Sequence, residues 1–519
     1  MTGGGLLTLV AYGAQNVILS GNPQFTYFYK VFRRYSHFSM ENVTTSMEGP
    51  SELLYDQSIR LRLKIQRIGD LVSDMYFSFR IPDIYSKFIQ PQQNNIQHEF
   101  QWVRYLGASI IQNVAFYVGG DKIQEFDGTY IMSKALLDYD KDKLQKWKVL
   151  VGDVPELNDP TNGIYAGGLL NQGYPNVLSN SLVTGAQLNR PSIFGRDIHV
   201  PLPFWFTEST SQALPLVGLQ YQDCEVQITL NPIQQLYTIL DASGFRIAPG
   251  YQVYSSINNI NNNIPNYTNV GDITSVQMKQ FLTDWGFNIP NFNGWPLNAR
   301  LQTTYVYLTD EDRKVFASSP LSYLYQEVRL IPYLGIYNRQ ILDVECHNPV
   351  TRILFVTRRS DNIYRNDFAN LTNWYNYPNP PFNPTPGTTL YYKNSFSSGL
   401  LIPQGQLQTI RGIRILADGN EIQQEKPVDF FTQITPYRNL TGDSEQFIPV
   451  YSFTLNSPST QPAGSINTSR IRNFQVEVDV YPLPQPPLIT TYTYNVYLYV
   501  ESYNFFEVAS GTGGRKFAV

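Results

Sequence analysis

At 519 residues the chain is long enough for two domains, and its net charge of −4 excludes an overall electrostatic attraction to nucleic acid. Its two cysteines, Cys224 and Cys346, are too few for a disulfide framework. Charged residues make up only 15% of the chain, against about 25% in ordinary domains, and aromatic residues reach 14%, a combination typical of a β protein with extensive interfaces.

The chain begins with an apolar, glycine-hinged segment, residues 1–25. The first basic residue is Lys30, so the segment lacks the positively charged start of a signal peptide. No apolar run approaches the ~18 residues of a membrane span. We therefore expect residues 1–25 to form an arm that lies against its own domain or a neighbour.

The segments that follow have the side-chain periodicity of strands and then of helices. Residues 59–68 (IRLRLKIQRI) alternate apolar and basic side chains, which predicts a strand with one buried face, and residues 75–81 predict a second. Between residues 127 and 151 apolar side chains recur every three or four positions, which predicts one or two short helices. Residues 152–196 are rich in Asn, Gly and Pro and predict a long surface loop.

A hairpin pattern occurs twice in the chain. Residues 110–125 read IIQNVAFYVGGDKIQE, and residues 410–425 read IRGIRILADGNEIQQE. The apolar side chains of the two segments match in spacing: Val114, Phe116 and Ile123 correspond to Ile413, Ile415 and Ile422. Gly120 and Gly419 stand at the same distance from these residues. Each copy predicts an alternating strand, a tight glycine turn and the start of a second strand.

The elements that follow the two hairpins also match. A proline-aromatic strand comes next in each copy, at residues 200–206 and 448–453, and a strand that alternates acidic and apolar side chains follows, at residues 225–230 and 476–480. Three unlike elements in one shared order indicate two β domains of one design. The fold class predicted is therefore all-β, with two tandem antiparallel jelly-roll sandwiches (a double jelly roll) and short helices in loops.

The second domain is predicted to open with a strand at residues 301–308. Thr309 then caps a helix, with Asp312 three residues further on. Prolines exclude interior strands from residues 365–398, and the last strand is predicted at residues 494–506. The predicted divisions are an N-terminal arm (1–25), a first jelly roll (26–232), a connecting segment (233–299), a second jelly roll (300–508) and a C-terminal tail (509–519).

No catalytic, cofactor-binding or metal-binding residues are predicted. The four histidines are far apart and fit no metal-ligand spacing, which removes the basis for a cupin-like oxygenase. A pair of catalytic carboxylates, as in a jelly-roll glycosidase, stays open as an alternative on spacing alone. Five Asn-x-Ser/Thr sequences are candidate glycosylation sites: Asn42, Asn266, Asn370, Asn439 and Asn467.

Several motifs together resemble the major capsid proteins of nucleocytoplasmic large DNA viruses. They are the N-terminal GGGLLTLVAYGAQNVILSGNPQFTYFYKVFRRYSHFSME (3–41), W-x3-LGASIIQNVAFYVGG (102–120), VPLPFWF…ALPLVGLQY (200–221), TYVYLTDEDRKVFA (304–317), YSFTLNSPSTQPAGSINTSRI (451–471) and YNFFEVASGTGG (503–514). They cover nearly the whole chain in the order that the family shows.

The resemblance implies a structural protein of the virion, assembled in the host cytoplasm. Three chains would form a pseudo-hexameric capsomer, and capsomers would tile an icosahedral shell over an internal membrane. The arm and the capsomer base would contact minor capsid proteins, and neither a cofactor nor direct nucleic-acid binding is expected. A tandem jelly-roll lectin is the alternative outside the structural class, and a minor or vertex capsid protein is the alternative within it.

Overall fold

A computed structural model describes residues 3–85, 88–89, 96–97, 99–158, 160, 191–240, 246–249, 252–254, 266–268, 277–282, 292–364, 366–373, 407–442, 447–457, 460–483 and 492–517. Most of the long loops predicted at 152–196 and 365–398 therefore lie outside the described residues, as does much of 233–299. The chain divides into two compact units, Met1–Ser39 and Met40–Val519.

The first unit carries two short helices, α1 (Gly4–Val10) and α2 (Ala14–Ser20), and neither helix contains a buried residue. The sequence predicted an arm here but not its helices. Large apolar side chains are exposed throughout the unit, among them Leu6, Leu9, Ile18, Leu19, Phe28 and Phe32. Exposed apolar surface of this extent marks an interaction site.

Eight strands form a first jelly roll. They are β1 (Phe38–Ser46), β2 (Ile59–Lys64), β3 (Leu71–Arg80), β4 (Ile111–Val118), β5 (Asp121–Phe126), β6 (Asp197–Pro201), β7 (Cys224–Leu230) and β8 (Arg300–Leu308). One sheet has the order β1-β8-β3-β6 and the other the order β2-β7-β4-β5. The pairs β3–β6, β3–β8, β2–β7, β4–β7 and β4–β5 are all antiparallel, as a jelly roll requires.

Eight further strands form a second jelly roll. They are β9 (Leu321–Ile336), β10 (Gln340–Asp343), β11 (Pro349–Arg359), β12 (Ile410–Ala417), β13 (Asn420–Pro427), β14 (Val450–Ser452), β15 (Phe474–Val480) and β16 (Tyr494–Ala509). The sheet orders are β9-β16-β11-β14 and β10-β15-β12-β13. Each strand of the second roll thus occupies the same sheet position as the strand of the first roll whose number is lower by eight. The predicted tandem duplication is therefore confirmed.

Strand β8 corrects one prediction. We expected residues 301–308 to open the second domain, but β8 pairs with β3, with Leu301 opposite Phe77 and Thr303 opposite Met75. The last strand of a jelly roll closes the sheet that its first strands began, so β8 completes the first roll. Residues 233–299, expected to connect two domains, are instead an excursion between β7 and β8 of one roll.

Local sequence explains the strands and turns. Ile59, Leu61 and Leu63 of β2 are buried, and the basic residues between them are exposed, as the alternation predicted. The β4–β5 hairpin turns through Gly119 and Gly120, both with positive φ, and the β12–β13 hairpin turns through Asp418 and Gly419, also with positive φ. Two consecutive positive φ angles are the requirement of a type I′ hairpin turn, which explains the repeated glycine.

The helices lie in the connections, as predicted. The principal ones are α3 (Gly128–Asp138), α4 (Lys141–Leu150) and α5 (Asp310–Ser318), with short turns at Leu106–Ser109, Pro155–Asn158, Trp205–Glu208, Phe430–Ile434 and Thr435–Asn439. Asp127 and Asp140 cap α3 and α4, and Thr309 caps α5 by accepting a hydrogen bond from the Asp312 backbone N–H. Shorter strands include Glu52–Leu53, Glu99–Trp102, Tyr237–Leu240, Trp295–Pro296 and Thr512–Arg515.

The two rolls share one hydrophobic core cluster. The second roll has its own interior, to which Ile353 and Phe355 of β11 contribute. The residues on the opposite face of that strand, Leu354 and Val356, belong to the core cluster of the first roll. The outer face of the sheet β9-β16-β11-β14 is therefore buried within the chain by the first roll.

Candidate functional site

The described residues contain no group of three His, Cys, Asp or Glu side chains placed to hold a metal ion. Within the same ranges, none of the helices has both the length and the apolar character needed to span a bilayer. The most constrained polar chemistry lies instead where the first roll packs on the second. We call this contact the roll–roll junction and define it by α3 and Trp205–Glu208 on one side and β9, β11 and β16 on the other.

Helix α3 leaves β5 and lies against the second roll. Asp127 sets its start, because its Oδ1 accepts a hydrogen bond from the Tyr130 backbone N–H at 2.7 Å. The other carboxylate oxygen of Asp127 accepts a hydrogen bond from the Tyr499 hydroxyl of β16, also at 2.7 Å. One side chain therefore both caps the helix and fastens it to the opposite roll.

Arg352 of β11 is the centre of the roll–roll junction. Its side chain is fully buried and makes bidentate contacts in two directions. Towards Asp138, at the end of α3, its Nη1 and Nη2 lie 2.6 and 2.8 Å from the two carboxylate oxygens. Towards Glu501 of β16, its Nε and Nη2 lie 2.6 and 2.9 Å from the carboxylate oxygens. Paired donors of this kind fix direction as well as charge.

Two further side chains complete the network. The Lys134 Nζ lies 3.6 Å from Asp138 and 2.9 Å from Glu208, which stands at the more exposed rim. The Tyr130 hydroxyl donates to Glu501 at 2.9 Å. The buried positive charges of Arg352 and Lys134 are thus matched by carboxylates, as burial of charge demands.

The pKa of Asp138 reflects this matching. Burial alone would raise the pKa of its carboxyl group, but the charge and hydrogen bonds of Arg352 outweigh burial and hold the pKa below its ordinary value of 3.8. Burial would likewise lower the pKa of Lys134, yet the Glu208 charge outweighs it and the pKa is raised. Both groups are therefore charged at neutral pH.

We expect the stabilisation from Asp138 to disappear in acid. Because its folded pKa is lowered, this stabilisation is fully present above the ordinary pKa of 3.8 and is lost as the pH falls through the folded pKa. Urea unfolding of wild type and Asp138→Asn from pH 7 to pH ~2 measures it. The gap in unfolding free energy between the two proteins should narrow only below the ordinary pKa. A gap that is constant with pH would contradict the assignment.

Asp127→Ala should lower the free energy of unfolding by about 1–2 kcal/mol, because the α3 cap is lost and the buried Tyr499 hydroxyl loses its acceptor. Asp127→Asn is the matched control, because its amide oxygen can still cap the helix. Thermal and urea unfolding of both variants provide the measurement. Equal losses in the two variants would show that the cap is not the cause.

An aromatic cluster forms the second part of the roll–roll junction. The Trp205 ring centroid lies 5.1 Å from that of Tyr323 and 5.4 Å from that of Phe506, and Trp205 is fully buried. Its backbone N–H donates to Gln124 Oε1, and the amide nitrogen of Gln124 donates to the Gln326 carbonyl on β9 at 3.3 Å. The Gln212 side chain donates to the Leu324 carbonyl at 2.8 Å. The edge of β9 is thus covered by side chains of the first roll.

The structure places four of the five candidate glycosylation asparagines in detail. Asn42 and Asn467 are exposed, and Asn439 is half-buried, with its amide donating to the Thr454 carbonyl. Asn370 is buried, and its side-chain oxygen accepts from the Thr372 hydroxyl, which argues against a glycan there. The side chain of Asn266 lies outside the described residues. Glycosylation of these asparagines stays a prediction.

The sequence analysis missed the ion network, although a signal existed. Arg352 interrupts the run VTRILFV and Glu501 interrupts YLYVESY, so each charge stands in a strand that is apolar at successive positions. Such runs indicate strands buried on both faces, where a charge requires a partner. One partner of Arg352, Asp138, lies 214 residues away in the sequence, and no local pattern identifies it.

Comparison with known proteins gives the family. Residues 26–270 match the family described as "Major capsid protein N-terminus", and residues 312–514 match "Large eukaryotic DNA virus major capsid protein". The chain is 22% identical over 580 residues to the major capsid protein of Phaeocystis pouchetii virus, with 99% of each chain covered. It is 23% identical over 537 residues to that of Paramecium bursaria Chlorella virus 1, again with 99% of each covered.

Solved structures show the same fold. The PBCV-1 virus capsid model matches with a TM-score of 0.62 at 18% identity, covering 95% of this chain and 100% of that one. The Faustovirus major capsid protein matches with a TM-score of 0.61 at 14% identity, covering 96% and 94%. None of these relatives is named as a carbohydrate-binding protein, so the lectin alternative has no support. The chain belongs to the major capsid proteins of large eukaryotic DNA viruses, which are double jelly-roll structural components of the virus capsid and not enzymes.

Proposed function

We propose that this chain forms a homotrimeric, pseudo-hexameric capsomer and that these capsomers tile an icosahedral shell. The observation that carries the proposal is the repeated strand order of the two rolls. Three copies of a chain with two similar rolls contain six similar units, and closed rotational symmetry is the usual arrangement of identical subunits. The low charge and high aromatic content of the chain suit large interfaces between copies.

The division of the chain follows the strands in this proposal. The first roll comprises residues 38–308 and the second comprises residues 321–509, with α5 between them. The predicted boundary at residue 300 moves because β8 belongs to the first roll.

Partners of the capsomer also belong to the proposal. Residues 1–25, the predicted arm, would bind minor capsid proteins at the capsomer base, because α1 and α2 expose apolar side chains over their whole length. The capsomer would lie near an internal viral membrane, with assembly in the host cytoplasm. The net charge of −4 supports no direct contact with nucleic acid.

The solution mass of the purified protein tests the trimer. Sedimentation or light scattering should give three times the chain mass of 59.3 kDa, and negative-stain images of the same peak should show a hexagonal outline. A protein that stays monomeric over the full accessible concentration range would contradict the proposal.

Deletion of residues 1–20 should leave the trimer intact and weaken its contacts with minor capsid proteins or with neighbouring capsomers. The reason is that α1 and α2 contribute no buried residue to a core. Solution mass reports the trimer, and co-assembly with minor capsid proteins reports the arm. An arm-deleted protein that fails to trimerise would assign the segment to the trimer itself.

A further inference from the structure

A short segment of the first unit has a composition unlike that of the rest of the chain. We call residues 27–37 (YFYKVFRRYSH) the aromatic–basic segment. Five of its eleven residues are aromatic and three are basic. The aromatic residues are Tyr27, Phe28, Tyr29, Phe32 and Tyr35, and the basic residues are Lys30, Arg33 and Arg34. The first acidic residue of the chain is Glu41, so the positive charge of the segment has no acidic neighbour within it.

The aromatic rings of this segment take no part in a core. The segment forms neither a helix nor a strand, and every one of its residues is exposed. Phe28 is 96% exposed, Tyr27 is 88% exposed and Phe32 is 80% exposed. A contiguous set of exposed aromatic side chains marks a surface that is covered by a partner, because large rings are among the side chains most favoured by burial.

The basic side chains of the segment are exposed as well. No ion pair among the described residues includes Lys30, Arg33 or Arg34. Residues 41–519 hold the other 35 basic residues and all 42 acidic residues, so that part of the chain has a net charge of −7. A segment of charge +3 in an otherwise acidic chain confines the attraction for an anionic surface to these few residues.

Rings and cations are interleaved within the segment, so one partner surface has to accept both. The interface of a lipid bilayer does so, because aromatic side chains are favoured at the boundary between headgroups and acyl chains, and lipid phosphates attract Lys and Arg. The guanidinium groups of Arg33 and Arg34 can each bind a phosphate through paired N–H donors. Tyrosine adds an apolar ring with a hydroxyl that stays at the wet side of the boundary.

The neighbouring helices favour a lipid surface over nucleic acid. Single-stranded nucleic acid also combines phosphates with rings that stack on aromatic side chains. Helices α1 and α2, however, precede the segment, carry no charged residue and expose aliphatic side chains. Aliphatic surface has no complement on nucleic acid, whereas an apolar bilayer boundary accepts it.

We infer that the aromatic–basic segment binds the surface of an anionic lipid bilayer. The rings of Phe28 and Phe32 enter the boundary between headgroups and acyl chains, and the basic side chains bind lipid phosphates. The segment lies in the interface without crossing it, and the described residues contain no helix that could span a membrane. Within the proposed function, the inference rests only on the nearness of the capsomer to a membrane and not on the trimer.

Flotation of the full-length protein with lipid vesicles tests the inference. Phosphatidylcholine vesicles with about 30% phosphatidylserine should bind the protein, and vesicles of phosphatidylcholine alone should bind it more weakly. A variant with Lys30→Gln, Arg33→Gln and Arg34→Gln should bind the anionic vesicles roughly a hundredfold more weakly, because each basic residue contributes about fivefold. Salt at about 1 M should weaken binding of the wild type, since it screens the attraction.

The matched control removes three basic residues from the first roll. Arg60→Gln, Arg62→Gln and Lys64→Gln together make the same change in net charge at exposed positions of β2, and this variant should bind as the wild type does. Equal losses in the two variants would assign the binding to net charge and overturn the inference. Both variants should keep the thermal midpoint of the wild type, because none of the replaced side chains is buried.

Insertion of the rings is measured separately. The fluorescence of a Phe28→Trp variant should be quenched by lipids that carry bromine on their acyl chains, and that of a Tyr337→Trp variant should not be quenched beyond the wild type. Both positions are exposed, and the six native tryptophans give the same background in each variant. Quenching in both variants, or in neither, would overturn the placement of the rings in the interface.

The outcomes separate the inference from the proposed capsomer. A trimeric wild type that binds no vesicles keeps the capsomer and overturns the inference. Binding to both kinds of vesicle that is unchanged in the Lys30/Arg33/Arg34 variant would assign it to α1 and α2 and overturn the inference. Tighter binding to a single-stranded oligonucleotide than to vesicles would also overturn it. A monomeric wild type that floats with anionic vesicles through Lys30, Arg33 and Arg34 supports the inference and overturns the capsomer.

Discussion

Arg352→Ala should lower the free energy of unfolding by about 3–5 kcal/mol, because it leaves two carboxylates buried without their shared cation. Asp138 and Glu501 both accept two hydrogen bonds from the guanidinium group and have almost no solvent exposure. Water cannot replace these bonds without opening the roll–roll junction. Urea unfolding of the variant, followed by circular dichroism and tryptophan fluorescence, provides the measurement.

A fully apolar replacement serves as the control. Arg352→Met combined with Asp138→Leu and Glu501→Leu removes all three charges and should recover most of the lost stability, since buried ion clusters often exchange for packed hydrophobic residues at little cost. If Arg352→Ala alone changes the unfolding free energy by less than about 1 kcal/mol, the network does not hold the rolls together. Recovery in the triple variant would assign the loss to unpaired charge rather than to lost packing.

Trp205→Ala should cost about 3–5 kcal/mol, the range for large aromatic side chains removed from a packed core. The side chain fills the space between the first roll and the rings of Tyr323 and Phe506, so its removal leaves a cavity at the roll–roll junction. Differential scanning calorimetry should show a lower midpoint and a single broadened transition, or two transitions if the rolls unfold separately.

Trp205→Phe is the matched variant. The indole Nε1 of Trp205 is buried without a hydrogen-bond partner in the described part of the chain, so phenylalanine loses volume but no hydrogen bond there. We therefore expect a cost of less than half that of the alanine variant. Equal costs would indicate that the indole ring does not fill the junction as described.

The fold could be predicted from the sequence because each roll repeats local patterns. The alternation in Ile59, Leu61 and Leu63 and the glycine turns at Gly120 and Gly419 depend on neighbours in the chain, and the structure confirms them. Capping of α5 by Thr309 is equally local and equally confirmed. Patterns of this kind are set by backbone sterics and by hydrogen bonds within a few residues.

The remainder depends on long-range pairing. Strand β8 follows β7 only after residues 233–299. The alternation of apolar and polar side chains in β8 does not indicate which sheet the strand joins. The partners in the ion network could not be predicted from the sequence for the same reason. Arg352 pairs with one carboxylate on a helix of the other roll and with another near the C-terminus. Such contacts follow from the three-dimensional packing of the rolls and not from local propensity.

The position of Glu501 in the chain has a consequence for synthesis. A nascent chain folds from its N-terminus, yet the charge on Arg352 has both of its carboxylate partners only after β16 has left the ribosome. A prematurely terminated chain would keep the pair between Arg352 and Asp138 but would lack the two hydrogen bonds to Glu501. It would also lack the strand β16, which lies between β9 and β11, and incompletely folded chains of this kind are removed by chaperones and proteases. Completion of the ion network is thus coupled to completion of the chain, because two of the four hydrogen bonds of Arg352 at the roll–roll junction come from the last long strand.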